Sequence, residues 1–334
     1  MSAQGGNKPS YIWSVNGTRW YIIQSLAGSK ILAQMYGNQF TSTWKIPETQ
    51  FDAEFTEAKD VLYMDSVLGN QPIAGWSSRL LRSDYAGFAL NTRRDSDNTN
   101  QDIGFVDSYG FDKAAFNAFI AAGNGFNEIW YDQFNANNAA NTTHNQQPQI
   151  SPSGGSNTRP SCSFDGINNR MPANSVVSNY SGNDNPYSFI ALVNLNVSSP
   201  ANIIISASRN STFAPQMTEA FIAANEYRSN RRDDLSVNHQ LNDNSIVNNK
   251  YYIVGSMFKN NVFYHVFNDV ITTVTVGDLG NLTLDRFTIG GFIKGGLYSP
   301  WIGQIDELLV WSGQCGLDDL QAASLNINQF YAVY

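Results

Sequence analysis

Asp306 and Glu307 stand side by side in the run Gly303-Gln304-Ile305-Asp306-Glu307-Leu308-Leu309-Val310-Trp311. Two carboxyls share acid–base work when they converge on one site. This run reads as a strand, however, where successive side chains point to opposite faces, so the pattern predicts a structural pair. Asp95, Asp97, Asp102 and Asp107 have the oxygen chemistry of calcium, which gathers about six to eight oxygens in a compact loop. They lack the glycine and the closing glutamate of an EF-hand and read as solvated loop acids. Arg93-Arg94 beside Asp95 and Asp97 predicts a local salt-bridge set that positions a loop. Arg231-Arg232-Asp233-Asp234 reads as an exposed turn, and His265, between aromatics in a strand, as a packed or surface imidazole.

Nucleophile-elbow, P-loop and dinucleotide patterns are absent. Cys162 and Cys315 lie far apart and, with His144, His239 and His265, do not form a zinc pattern, so no metal and no cofactor is expected. The two cysteines either pair or stand as buried thiols. Tyr298, Trp301 and Trp311 flank a glycine-rich loop, and such rings offer flat apolar faces suited to sugars. Trp311 falls on the inner face of the last strand. That leaves Tyr298 and Trp301 as the candidate ligand-binding residues.

The composition narrows the class. Only 14% of the 334 residues are charged, against about 25% in ordinary domains, and 39 asparagines take up much of the difference. With 42% hydrophobic and 13% aromatic residues the chain is no disordered segment. A net charge of −8, with 20 Lys plus Arg scattered along the sequence, excludes a basic nucleic-acid surface. No apolar run reaches the roughly 18 residues that span a membrane. Met1 to Gly6 carry neither a basic nor an apolar region of the secretory kind, so no export signal is expected.

The elements that must position these residues are mostly strands. Residues 1–62 read as a small β-rich piece, with turn signals at Asn16-Gly17 and Gly37-Asn38, suited to attachment or oligomerisation. Residues 63–158 hold one clear helix, in which Ala115, Phe116, Phe119 and Ile120 share a face and Gly123 stops it. A polar stretch, 90–101, precedes that helix, and residues 135–157 read as a long loop. From 159 to 334 short strands recur, including a hairpin about Lys259-Asn260-Asn261. The chain ends in a helix with Leu320, Ala323, Ile327 and Tyr331 on one face. The expected fold is mainly β: an antiparallel jelly-roll sandwich with one or two short helices.

Two stretches carry a family resemblance. Phe287-Thr288-Ile289-Gly290-Gly291, the run from Trp301 to Trp311 and the final helix resemble concanavalin A-like (laminin-G-like) jelly rolls, with Ser163 to Asn169 as the opening strand. The segments Ser78 to Gly87, Arg93 to Asn98 and Ile129 to Gln133 resemble the first part of the arabinofuranosidase B catalytic domain. Similar segments precede laminin-G-like domains in bacteriophage tail and virion proteins. The arabinofuranosidase family places its acid after a glycine pair, whereas here Phe292 follows Gly290-Gly291, and the family's nucleophile motif is not found.

The resemblance therefore implies a bacteriophage virion structural protein (tail fibre, spike or capsid decoration) and no enzyme. It would assemble in the host cytoplasm, dock to other virion proteins through residues 1–62, form a homo-oligomer, by preference a trimer, and contact host-surface glycan. The alternative is a divergent arabinofuranosidase-like glycoside hydrolase or a carbohydrate-binding lectin.

Overall fold

A computed structural model describes residues 12–15, 18–26, 29–36 and 39–47, and residues 63–334 except 107–109, 197–201, 211–216, 224–225, 234, 236, 244–245 and 279. The turn pairs Asn16-Gly17 and Gly37-Asn38, together with Asp107, lie outside the described residues. The chain divides into two compact units, residues 1–62 and 63–334. In the first, β1 (Ile12–Val15), β2 (Thr18–Leu26), β3 (Ser29–Tyr36) and β4 (Gln39–Pro47) form an antiparallel meander.

The second unit is an antiparallel β-sandwich. Its strands are, in chain order, β5 (Ala74–Ser77), β6 (Leu90–Arg94), β7 (Asn100–Ile103), β8 (Gly125–Trp130), β9 (Gln149–Ser151), β10 (Ser161–Asp165), β11 (Tyr187–Leu195), β12 (Asn202–Ser208), β13 (Met217–Ala223), β14 (Glu226–Arg232), β15 (Asn238–Asp243), β16 (Tyr251–Lys259), β17 (Val262–Phe267), β18 (Val270–Thr275), β19 (Arg286–Ile289) and β20 (Ile302–Trp311), besides several two-residue pairings. One sheet of 12 strands runs β18-β17-β16-β11-β20-β10-β9-β8-β6-β7, with β5 added beside β20 and Ala139–Ala140 beside β8. The facing sheet of six strands begins with Met171–Pro172 and continues β19-β12-β13-β14-β15. Segment 63–158 is thus continuous with the sheet that holds the later strands.

Alternation explains the core. On β11, Tyr187, Phe189, Ala191, Val193 and Leu195 join Trp76, Trp130, Phe164, Ile205, Phe287 and Ile289 between the sheets. Buried Ile190 and Leu192 point the other way, onto the outer face. There α2 (Leu317–Tyr331) lies against β11 and β16. The shorter helix α1 (Lys113–Ile120) starts where the Asp112 side chain accepts the Ala115 N–H at 2.8 Å, and it buries Phe116.

Gly290 shows why a glycine stands after Ile289. Its φ is +81°, and a Cβ at that position would run into the Phe164 ring. The hairpin about Asn260-Asn261 forms as the sequence indicates, both residues taking positive φ (53° and 62°) between β16 and β17.

Candidate functional site

Seven residues on seven adjacent strands pair directly across the large sheet. Asn194 of β11 faces Gln304 of β20, Gln304 faces Ser163 of β10, and Ser163 faces Gln149 of β9. Gln149 then faces Phe126 of β8, Phe126 faces Arg93 of β6, and Arg93 faces Asn100 of β7. Paired residues share a face. Their sequence neighbours Ile305, Cys162 and Ile150 belong to the inter-sheet core, so this row lies on the outer face. From Asn194 to Arg93 it crosses five strand spacings, roughly 24 Å. Asn194 is buried at one end, and Gln149 and Asn100 are exposed.

Over the Arg93 half of the row the surface sinks into a groove of about 580 Å³, lined among others by Arg93, Asp95, Phe126, Gln147, Gln149, Ser163 and Asp165. Amides and a hydroxyl supply paired donors and acceptors, and Phe126 supplies an apolar ring. Two carboxylates face the groove. Asp95 accepts the Asn124 N–H and side-chain amide, both at 2.9 Å, and these bonds hold its carboxyl below the usual range. Asp165 Oδ1 accepts the backbone N–H groups of Ile167, Asn168 and Asn169 at 2.8, 3.1 and 3.2 Å.

Arg93 and Arg94 part company. Arg94 forms the expected exposed ion pair with Asp97. Arg93 is 5% exposed, and none of the ion pairs among the described residues includes it. Its Nε donates to Gln147 Oε1 at 2.6 Å, Nη1 to Asn98 Oδ1 at 2.8 Å and Nη2 to the His144 carbonyl at 3.3 Å. Its guanidinium lies 4.8 Å from the Phe126 ring centre.

Asp306 and Glu307 do not diverge to opposite faces. Leu192 pairs with Glu307 while Val193 pairs with Ile305, so Asp306 is the extra residue of a β-bulge. Ile305 and Leu308 both point into the core, and the two acids between them share the outer face beneath α2. Glu307 Oε2 accepts from Arg79 Nε at 2.6 Å, and Oε1 from Nη2 at 2.7 Å. Asp306 Oδ2 accepts the Ser156 N–H at 2.9 Å, and burial, with Glu307 adding repulsion, raises its carboxyl well above the usual range. Both acids are covered, so neither reaches the groove.

The other sequence candidates scatter. Trp301 is fully buried and presents no face to solvent. Tyr298 pairs through its backbone with Phe292, which is itself buried. Asp102 accepts from Asn91 Nδ2 and the Tyr131 hydroxyl, each at 2.7 Å, so Asp95, Asp97 and Asp102 go to three different partners. Among the described residues no three His, Cys, Asp or Glu side chains gather as metal ligands. His265 packs its ring 4.3 Å from that of Tyr227. Arg231 lies inside β14 and is buried, contrary to the exposed turn its charge suggested, with Nη2 donating to the Gly280 carbonyl at 2.7 Å. Cys162 and Cys315 are free buried thiols, each pushed up to about 12 by burial.

No family model matches the chain, and no curated protein does. Solved structures do match in fold. An arabinofuranosidase of the GH54 class, soaked with a cyclic sulfate inhibitor, overlays with a TM-score of 0.61 at 16% identity, covering 79% of this chain and 63% of that one. An arabinofuranosidase complexed with arabinofuranosyl-alpha-1,2-xylobiose overlays at 0.60 and 14%, covering 80% and 64%. The chain therefore spans less than two thirds of the enzymes it matches. The likeness also runs far beyond segment 63–158, where the sequence placed it.

This overturns the virion reading. The solved structures that share its fold are arabinofuranosidases, which favours the glycoside-hydrolase or lectin alternative over the virion reading and removes the exclusion of enzyme activity. The missing acid at Phe292 and the missing nucleophile motif concern the family's own catalytic positions; the groove beside Arg93 presents other carboxylates, Asp95 and Asp165.

Proposed function

We propose that the protein is a divergent, arabinofuranosidase-like glycan-active protein that holds a polysaccharide across the outer face of its large sheet. The row Gln304-Ser163-Gln149-Phe126-Arg93 carries this reading. It is an extended strip of amides and hydroxyl with one aromatic ring, set across the strands and open to solvent along the groove. Sugars need that mixture of paired hydrogen bonds and a flat apolar face. For hydrolysis the groove offers Asp95 and Asp165. Asp95, held anionic by Asn124, suits the base or charge-stabilising member of a glycosidase pair.

The test has two readouts. Binding to a panel of insoluble and soluble polysaccharides, arabinoxylan and arabinan among them, is measured alongside release of sugar from the same polymers and from an aryl arabinofuranoside. The expected result is saturable binding, with any hydrolysis lost in Asp95→Asn and Asp165→Asn. Absence of both binding and turnover across the panel overturns the reading.

The meander in residues 1–62, a compact unit of its own, is proposed as the attachment or oligomerisation piece. Light scattering of the full chain against residues 63–334 tests this: equal oligomeric states would refute it.

A further inference from the structure

Arg93 is a buried cation whose direct partners are all neutral. Gln147, Asn98 and the His144 carbonyl take three of its five N–H donors. One N–H on Nη1 and one on Nη2 remain, and the side chain lines the groove. A guanidinium fork is shaped for a carboxylate, and a buried cation with no carboxylate within ion-pair distance gains most from one. Arg94, next in sequence, shows the contrast, because Asp97 neutralises it outside the groove.

The same groove also sets a limit. Asp95 and Asp165 line it too, so a ligand charged at every residue would be repelled where one carboxylate is welcome. Asp95 bonds directly to Asn124 and, like Glu128, attracts Arg93 only from beyond ion-pair distance.

Resting on the glycan-binding reading above, we infer that Arg93 receives the carboxylate of an acidic sugar, and that the preferred ligand is a neutral polysaccharide carrying isolated uronate side groups. The neutral backbone lies along Gln149 and Ser163, and one uronate reaches the Arg93 end.

The experiment compares three probes on the full chain: a xylan bearing glucuronate side groups, the same xylan after reduction of its carboxyls, and polygalacturonate. The uronate-bearing xylan is expected to bind at least tenfold tighter than its reduced form and tighter than polygalacturonate. That preference should shrink on going from low to high salt. In Arg93→Gln it should vanish, the two xylans then binding alike. Should Arg93→Gln fail to fold, the salt dependence in the unaltered protein and the partial retention expected of Arg93→Lys decide. Equal affinity for the two xylans overturns the inference and leaves the glycan-binding reading standing. Tighter binding of polygalacturonate overturns the isolated-charge preference. No binding to any polymer sinks both.

Discussion

Arg79 and Glu307 form a two-point ion pair buried inside the protein, their side chains 1% and 0% exposed, with Nε to Oε2 at 2.6 Å and Nη2 to Oε1 at 2.7 Å. Arg79 follows β5, and Glu307 sits at the bulge of β20. Asn326 of α2 accepts from Arg79 Nη2 at 2.7 Å, and the Phe330 ring lies 4.8 Å from the guanidinium. One charge cluster therefore fixes the first strand of the sandwich, its central strand and the final helix together. Burial lowers the affinity of this guanidinium for its proton, but the attraction and hydrogen bonds of Glu307 outweigh that, and it stays charged.

Breaking that pair from one side should be costly. Arg79→Met strands a buried carboxylate and is expected to lose about 3–5 kcal/mol, whereas removing both charges in Arg79→Met/Glu307→Met should cost less. Urea unfolding of the two variants checks this. A double variant no more stable than the single one would contradict it.

Asp306 makes an opposite contribution with pH. Its folded carboxyl titrates above its unfolded one, so stability falls as pH rises from about 4, the unfolded range, up to the folded value. Asp306→Asn abolishes that term. The variant should gain on the parent protein as pH rises above about 4 in parallel melting curves, and a constant difference would refute the assignment.

Asp319 shows the reverse sign. Burial pushes its carboxyl up, but the Asn70 side chain and the backbone N–H groups of Gly316, Asn70 and Gly69 outweigh it and hold the group low. The stability it gives is complete above the unfolded carboxyl range and is lost as pH falls through the folded value. Asp319→Ala is expected to cost about 1–2 kcal/mol at pH 7 and progressively less in acid, measured by denaturation at both pH values.

Along the row, Phe126→Ala and Gln304→Ala should weaken polysaccharide binding about tenfold at nearly unchanged melting temperature, because both side chains are partly exposed. Trp301→Ala should instead lose about 3–5 kcal/mol of stability, as large core truncations do. A folded Trp301→Ala protein that had lost only its glycan affinity would restore Trp301 as a sugar platform.

Local pattern made several elements legible. The Asn260-Asn261 hairpin, helix α1 and the buried face of α2 all appear where spacing and turn residues put them. The stretch 90–101 reads as merely polar because β6 and β7 are short and carry mostly polar residues, Arg93 and Asn100 among them, which hides the strand pattern. Residues 135–157 read as a loop because β9 is three residues long, although it sits inside the large sheet. The row from Gln304 to Arg93 has no signature along the chain, since each member is supplied by a different strand. Asp306 and Glu307 were placed on opposite faces by strict alternation, which a single inserted residue cancels. Trp301 was chosen for its ring, and burial took that same ring into the core.

The place of β20 in the sheet bears on how the chain comes off the ribosome. It is the last strand to be made, yet it lies between β11 and β10 and also pairs with β5. Until residue 311 has emerged, the β6 to β10 block and the β11 to β18 block each expose an unpaired edge where β20 belongs. Open edges recruit other chains, and contacts this distant in sequence close slowly. Nascent chains on crowded polysomes would thus be most prone to cross-pairing in the interval before β20 emerges, and holding that gap shut against neighbours becomes a task for chaperones.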